Sequence, residues 1–318
     1  MRKALICGVS GQDGAYLAQL LISKGYQVWG TSRDAQLANF SNLKSLGIQS
    51  QIIMLSMAQN DSRSVLNALS LAEPDEVYFL SGQSSVGLSF DQPAETIESM
   101  TYGILNLLEA VRFLGRPVRI YHASSGECFG DVGRERANEL TPFRPRSPYG
   151  VAKASAHWLV INYREAYNLF CCNGILFNHE SPLRSARFVT RKIISTACRI
   201  KSGSKERLLL GRLDIARDWG WAPDFVDAMW RMLQIEESED YVIATGQSHT
   251  LEQFVAQAFE RLEMNWVEHV DIDSSLFRPS DITYSVGDPS KAERVLDWKS
   301  KTSFLALIDH LILAEQTR

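Results

Sequence analysis

The sequence predicts an α/β fold, a doubly wound parallel sheet followed by a smaller C-terminal lobe. Three observations predict it. The chain opens on a strand, a glycine-punctuated turn and a helix. Apolar strand-like runs then alternate with helical patterns to about residue 178. A short buried run, Arg119–Ala123, leads to Tyr149 and Lys153 at the start of another helix. Strands alternating with helices imply βαβ units, hence parallel pairing.

Lys3-Ala-Leu-Ile-Cys-Gly-Val9 is the first strand, and Ala15–Lys24 carries Leu17, Leu20 and Leu21 at helical spacing. Between them Gly8, Gly11 and Gly14 punctuate a turn that also holds Ser10, Gln12 and Asp13. Glycines let the backbone approach a pyrophosphate, and a helix N-terminus offers free N–H groups and the positive end of its dipole. Gly8, Ser10, Gly11, Gln12, Asp13 and Gly14 are therefore the candidate dinucleotide cradle. The second strand, Gln27–Thr31, ends at Ser32-Arg33, where such folds meet the adenosine ribose. A hydroxyl plus Arg33 suits a 2′-phosphate, so NADP is expected, with Asp34 pulling the other way.

Further strands are expected at Ile52–Leu55, Glu76–Leu80, Arg119–Ala123, Cys171–Leu176 and Tyr241–Ala244. Helices are expected at Ser64–Leu71, Ile97–Leu114, Ala152–Tyr167 and Phe225–Gln234. The alternation fades after about residue 178. Residues 1–177 read as the dinucleotide-binding domain, with later returns near 215–245 and 282–295, and 178–318 mainly as a substrate lobe.

The stretch from Arg119 to Lys153 carries the chemistry. Ser124-Ser-Gly-Glu-Cys-Phe-Gly130 is the loop off the strand end, and Ser147-Pro-Tyr-Gly-Val-Ala-Lys153 begins a helix. Tyr149 and Lys153, four apart, share one helical face. An ammonium beside a phenol favours the phenolate and makes it a base near neutral pH.

The 318 residues are 45% hydrophobic and 22% charged, with a net charge of −4, which argues against a general nucleic-acid binder. No run approaches the roughly 18 apolar residues of a membrane span. Met1-Arg-Lys3 passes straight into a strand, so the sequence reads as mature. Five cysteines at no metal-ligand spacing imply reduced thiols in a cytoplasm, and no metal site is expected. Between Arg184 and Arg217 there are ten Lys or Arg against Glu206 and Asp214. That local excess implies an anionic ligand. His122 and His179 lack paired ligands, and Trp219, Trp221 and Trp230 read as packing residues.

With the glycine turn, the Ser-Gly-Glu loop and the Tyr-x-x-x-Lys pair in order, the chain resembles the extended short-chain dehydrogenase/reductase superfamily, which is Rossmann-like. Within it the chain is most similar to the GDP-mannose 4,6-dehydratases. The residues carrying this are Gly11-Gln-Asp-Gly-Ala-Tyr-Leu17, Gln83-Ser84, Leu176-Phe-Asn-His-Glu-Ser-Pro182, Phe188-Val-Thr-Arg-Lys-Ile193, Arg217-Asp-Trp-Gly220 and Phe277-Arg-Pro279. The resemblance implies that Tyr149 takes the proton from the sugar 4-hydroxyl while NADP accepts the C4 hydride. Lys153 would lower the phenol's pKa and hold the nicotinamide ribose, and Ser125 would polarise the 4-ketone. Glu127 would take the C5 proton and expel the C6 hydroxyl as water, after which the hydride returns to C6. It further implies that Leu80 and Gln83 touch the cofactor. Ser84, Ser85, Asn178, Val189, Lys192, Arg217 and Arg278 would hold the GDP-sugar, the arginines at its diphosphate. A homodimer or homotetramer is expected, with no membrane and no nucleic acid as partner.

The chain departs from the family pattern at Ser125 (usually Thr), Gly126 (usually Ser), Ser56 (usually Asp), Ser81-Gly82 (an Ala pair) and Asp34 (a second Arg). Other readings share the same residues. One is a reductase or epimerase of a GDP-4-keto-6-deoxy sugar, which needs no C5 base in an elimination. Another is a dehydratase of a different GDP-sugar such as a heptose, and a third is a non-catalytic dinucleotide-binding scaffold.

Overall fold

The structure, a computed structural model, describes residues 1–317. Its first half runs β1 (Lys3–Cys7), α1 (Gln12–Ser23), β2 (Gln27–Ser32), α2 (Ser41–Ser45), β3 (Ile52–Ser56), α3 (Ser62–Ala72) and β4 (Glu76–Phe79). Next come α4 (Val86–Asp91), α5 (Pro93–Ile97), a π-helical turn at Glu98–Tyr102 and α6 (Gly103–Leu114). The single helix expected over Ile97–Leu114 is thus interrupted. Then follow β5 (Arg119–Ser125), α7 (Pro148–Tyr167), β6 (Cys171–Leu176) and β7 (Asn178–Glu180).

The rest comprises α8 (Val189–Lys201), β8 (Leu208–Leu210), β9 (Ala216–Arg217), β10 (Trp219–Trp221), α9 (Ala222–Met232) and β11 (Tyr241–Ile243). It closes with β12 (His249–Thr250), α10 (Leu251–Arg261), β13 (Val270–Ile272), α11 (Ser290–Leu296) and α12 (Phe304–Gln316).

Seven strands form one sheet in the order β11-β6-β5-β4-β1-β2-β3, every pair parallel. The order reverses between β1 and β4, and their C-terminal ends open a crevice of the kind that binds ligands in such sheets. β4 and β6 are buried along their whole length because helices cover both sheet faces. On one face Leu17 and Leu21 of α1 pack in a core with Phe225 and Met229 of α9. On the other, Val65, Leu107 and Val160 join α3, α6 and α7 to the sheet. A separate core holds Ile193, Leu208, Phe254, Phe259 and Leu311, from α8, β8, α10 and α12.

The start of α7 fixes the site. The Ser147 hydroxyl accepts from Gly150 N at 3.0 Å, and Pro148 takes the first helical position, where its missing N–H costs nothing. Tyr149 therefore sits in the first turn, and Lys153 one turn on. Among the described residues no helix is long and apolar enough to cross a membrane.

Candidate active site

A cavity of about 410 Å³ opens at the C-terminal edge of the sheet. Ser125, Glu127, Tyr149 and Lys153 all line it, together with Asp13, Leu80, Ser84, Ser85, Asn178, Val189, Lys192, Arg217 and Arg278. β5 ends at Ser125 and turns through a 3₁₀ segment, Gly126–Cys128, that carries Glu127. The Ser125 hydroxyl accepts from Glu127 N at 3.2 Å, so one residue caps the turn that presents the carboxylate. Gly126 lies against Phe177: a Cβ there would stand 3.2 Å from the ring. A serine at this position would therefore require the ring to give way slightly.

Burial raises the Tyr149 phenol above its ordinary value, only partly offset by its hydrogen bond with Ser125. Lys153, one turn further along α7, is anchored to the end of β5. Its Nζ donates to Ala123 O at 2.7 Å and lies 6.0 Å from the phenol ring centre. Burial pushes Lys153 down to about 8, against the pull of Cys128 and Asp13. Burial likewise raises Glu127, while Arg217 and Arg278 pull it back.

The turn before α1 fits a dinucleotide. Gly8 has φ +86°, and a Cβ on Gly14 would stand 2.4 Å from Gly8 O, so the turn closes only without side chains there. Gly11 caps α1, whose first N–H groups face the crevice end. The Ser81 hydroxyl, against Gly8, is buried without a hydrogen-bond partner. Gly8, Ser10, Gly11, Gln12, Gly14, Ser32, Arg33 and Gln83 are not among the cavity's lining residues. Gly8 to Gly14 cluster at the end of β1, and Ser32 and Arg33 at the end of β2.

Two of these side chains serve the protein itself. The Gln12 amide donates to His179 O at 3.2 Å and accepts from the Ser181 hydroxyl at 2.8 Å, tying the glycine turn to the segment after β6. The Gln83 amide donates to Ser85 O at 2.8 Å and accepts from Ser85 N, closing its own loop. The Asp34 carboxylate accepts from Gln36 N and Leu37 N, and the Ser56 hydroxyl accepts from Ala35 N at 3.0 Å. Arg33 is exposed and pairs with no described residue.

The basic window divides. Arg184, Arg187, Lys192, Arg212 and Arg217 line the cavity. Arg199, Lys201 and Arg207 instead pair on the surface with Glu206, Glu263 and Asp271. Arg217 is more committed than its expected diphosphate role implies. Its guanidinium donates to Asp281 at 2.8 Å, Ile282 O at 2.7 Å and Ala216 O at 3.0 Å. Arg278 reaches the same Asp281 at 3.5 Å, and Lys192 donates to Leu209 O.

Ser124, His179 and Arg184 also line the cavity; Arg184 was expected only as part of the basic window, and Ser124 and His179 had no individual site role. His179 donates from Nδ1 to Phe177 O at 2.7 Å, and its Nε2 lies 2.9 Å from Asp13. Burial lowers that imidazole, but Asp13 outweighs it and raises the group overall; Asp13 in turn falls to about 2 despite its burial. Arg184 stacks on Phe188 at 3.6 Å and pairs with Glu180. The signal was present in Phe-Asn-His-Glu-Ser-Pro, whose His and Glu are both used. His122 is a satisfied core histidine, 2.8 Å from Asn173 Oδ1. Trp219 stacks with Phe304, and the Trp230 indole donates to Tyr26, as packing residues do.

The family described as GDP-mannose 4,6 dehydratase matches residues 5–311. The chain is 44% identical to "GDP-mannose 4,6 dehydratase 1" of Arabidopsis thaliana, over 97% of this chain and 88% of that one. Among solved structures it is similar to DesIV, a dTDP-glucose 4,6-dehydratase from Streptomyces venezuelae with NAD and TYD bound. There the TM-score is 0.89 and the identity 20%, over 100% of this chain and 98% of that one. It is also similar to RMD from Pseudomonas aeruginosa complexed with NADPH, with TM-score 0.81 and 22% identity over 99% of each chain. A sheet of the same architecture, a Tyr–Lys pair beside a carboxylate in one cavity, and a match along nearly the whole sequence meet in one assignment: the chain belongs to the GDP-mannose 4,6-dehydratase family.

Proposed function

We propose that this chain is a lyase that removes water from GDP-D-mannose, giving GDP-4-keto-6-deoxy-D-mannose. The observation that carries the reading is that Tyr149 and Glu127 line one cavity, with Ser125 and Lys153 beside them. A plain dehydrogenase needs only the phenol. An elimination needs a second base for the neighbouring carbon.

A bound nicotinamide dinucleotide supplies a hydride acceptor that later gives the hydride back, so no net redox occurs. Tyr149 takes the proton from the sugar O4, and Ser125 holds that oxygen as it becomes a ketone. Glu127 takes the C5 proton, now acidified by the ketone, and delivers a proton to the departing C6 hydroxyl. Lys153 supplies the positive charge beside the phenol. Ser84, Ser85, Asn178 and Val189 bracket the sugar nucleotide. Lys192 and Arg278, the less committed cations, meet the diphosphate, while Arg217 with Asp281 sets the potential of that wall. The nucleotide-binding part is residues 1–177 with returns near 215–245 and 282–295, and the sugar-nucleotide lobe is mainly 178–318. The separate core around α8, α10 and α12 supports that division.

NADP is the proposed cofactor, held at the turn Gly8 to Gly14, at Ser32 and Arg33, and near Leu80, Tyr149 and Lys153. Arg33, exposed at the end of β2 with the Asp34 carboxylate engaged in its own turn, supports a 2′-phosphate contact. Arg33→Ala is expected to weaken NADP binding by about 10- to 100-fold and leave NAD binding unchanged, as loss of a charge-assisted hydrogen bond implies. Titration with each dinucleotide checks this, and equal losses for both overturn it.

Ile97, Tyr102, Val151 and Trp158 are exposed on α5, the π-turn and α7, which supports a homo-oligomer buried on that face. The mass in solution checks it. Five buried, unpaired cysteines support a cytoplasmic setting.

The deciding experiment incubates the purified protein with a panel of GDP-sugars and no added reductant. GDP-mannose is expected to lose one water by mass, with no net change in reduced cofactor. Consumption of NADPH on a 4-keto sugar, with GDP-mannose untouched, would instead make it a reductase.

A further inference from the structure

Between α5 and α6 the chain leaves the α-helical repeat for the π-helical turn Glu98–Tyr102. Such turns are rare and collect at functional sites. This one is pinned from outside. The Gln59 amide donates to Ser99 O at 2.8 Å, and the Asn60 amide donates to Glu98 at 2.9 Å. From inside, the Thr101 hydroxyl donates at 3.3 Å to Ala152 O, on the helix that carries Tyr149.

The turn delivers Met100, 2% exposed, into a small apolar cluster apart from the sheet cores. Its companions there are Tyr149, Ala152 and, at the edge, Val86. Opposite, Met100 meets the loop leaving β4. Gly82 holds φ +134° there, and a Cβ on it would stand 3.2 Å from Met100 Cγ. Met100 therefore packs between that loop and the start of α7, in the cluster that holds Tyr149.

We propose that Met100, presented by the π-turn, is a positioning residue for the reaction, fixing the Tyr149 ring so that its oxygen reaches the sugar. The inference rests on reading Tyr149 as the base. Ser125 locates the phenol oxygen, but packing must hold the ring, and an unbranched thioether fills such an irregular gap. Inserting one residue into a helix rotates all that follows by about 100°, so the turn changes the face presented between α5 and α6 and sets where Met100 points.

The test compares Met100→Ala, Met100→Val and Met100→Leu with Tyr149→Phe, on the full chain with GDP-mannose. Met100→Ala is expected to lower kcat by about 10- to 100-fold with little change in KM, the cost of misplacing a reacting group by an ångström. Met100→Leu, of similar volume, restores kcat to within about threefold. Met100→Ala also admits water to the ring and relieves part of the burial that raises the phenol. The limb of the kcat–pH profile governed by Tyr149 therefore moves to lower pH, and in Met100→Leu it stays. Met100→Val gives the same readout, at smaller amplitude, should the alanine variant not fold.

A fall in kcat with the pH limb unmoved, or a loss that Met100→Leu fails to restore, overturns the proposal. So does unchanged kcat in Met100→Ala and Met100→Val. Retained turnover in Tyr149→Phe overturns the reading of the base instead, so the two failures are distinct.

Discussion

Glu127→Gln stops release of dehydrated sugar while the first oxidation proceeds. Product formation falls by about 10²–10⁴-fold, the usual cost of removing a positioned acid–base group. The amide keeps the volume and most hydrogen-bonding capacity of the carboxylate but cannot accept the C5 proton. Rapid mixing with GDP-mannose should show reduced nicotinamide appearing without product. Near-normal turnover would remove Glu127 from the elimination. Burial raises this carboxyl, against Arg217 and Arg278 and with Asp281, so the acidic limb of the wild-type rate lies above the ordinary carboxylate range. The stability sign follows from the same shift. A raised folded-state pKa favours the protonated form, so the group's stabilisation is present at low pH and is lost as pH rises through the folded value. At neutral pH the wild type carries a partly buried charge that Glu127→Gln lacks, and the variant should melt no lower.

Tyr149→Phe fails one step earlier. No reduced nicotinamide appears and no water is lost, again by about 10²–10⁴-fold, because the proton on O4 has no acceptor. The two variants separate the halves of the reaction, and a burst in Tyr149→Phe equal to that of Glu127→Gln would reassign the base. The phenol is raised by burial, and the Lys153 ammonium donates to the Ala123 carbonyl.

The seven strands of the central sheet were legible to within about two residues, because buried parallel strands are continuous apolar runs between turn signals. Among the described residues, the six short strands outside that sheet, of two or three residues each, were not. Ser147-Pro148 announced α7 for an equally local reason: a hydroxyl and a fixed φ start a helix wherever they stand. The π-turn was not legible. Five residues are too few to separate its period from that of an α-helix, and Ile97–Leu114 read as one element. Gln83 is a different case: its string marked the family correctly, yet the amide closes its own loop rather than facing the cavity.

The sequence by itself determined the sheet, the glycine turn, and the presence of a phenol, an ammonium and a carboxylate on neighbouring elements. Those are properties of short stretches, set by periodicity and backbone conformation. The fold alone decided that Arg217 is held by Asp281, sixty-four residues away, that Arg199, Lys201 and Arg207 of the basic window pair on the surface, and that His179 pairs with Asp13. The reason is that desolvation and charge pairing depend on what surrounds a group in space, and chain-distant segments supply those surroundings.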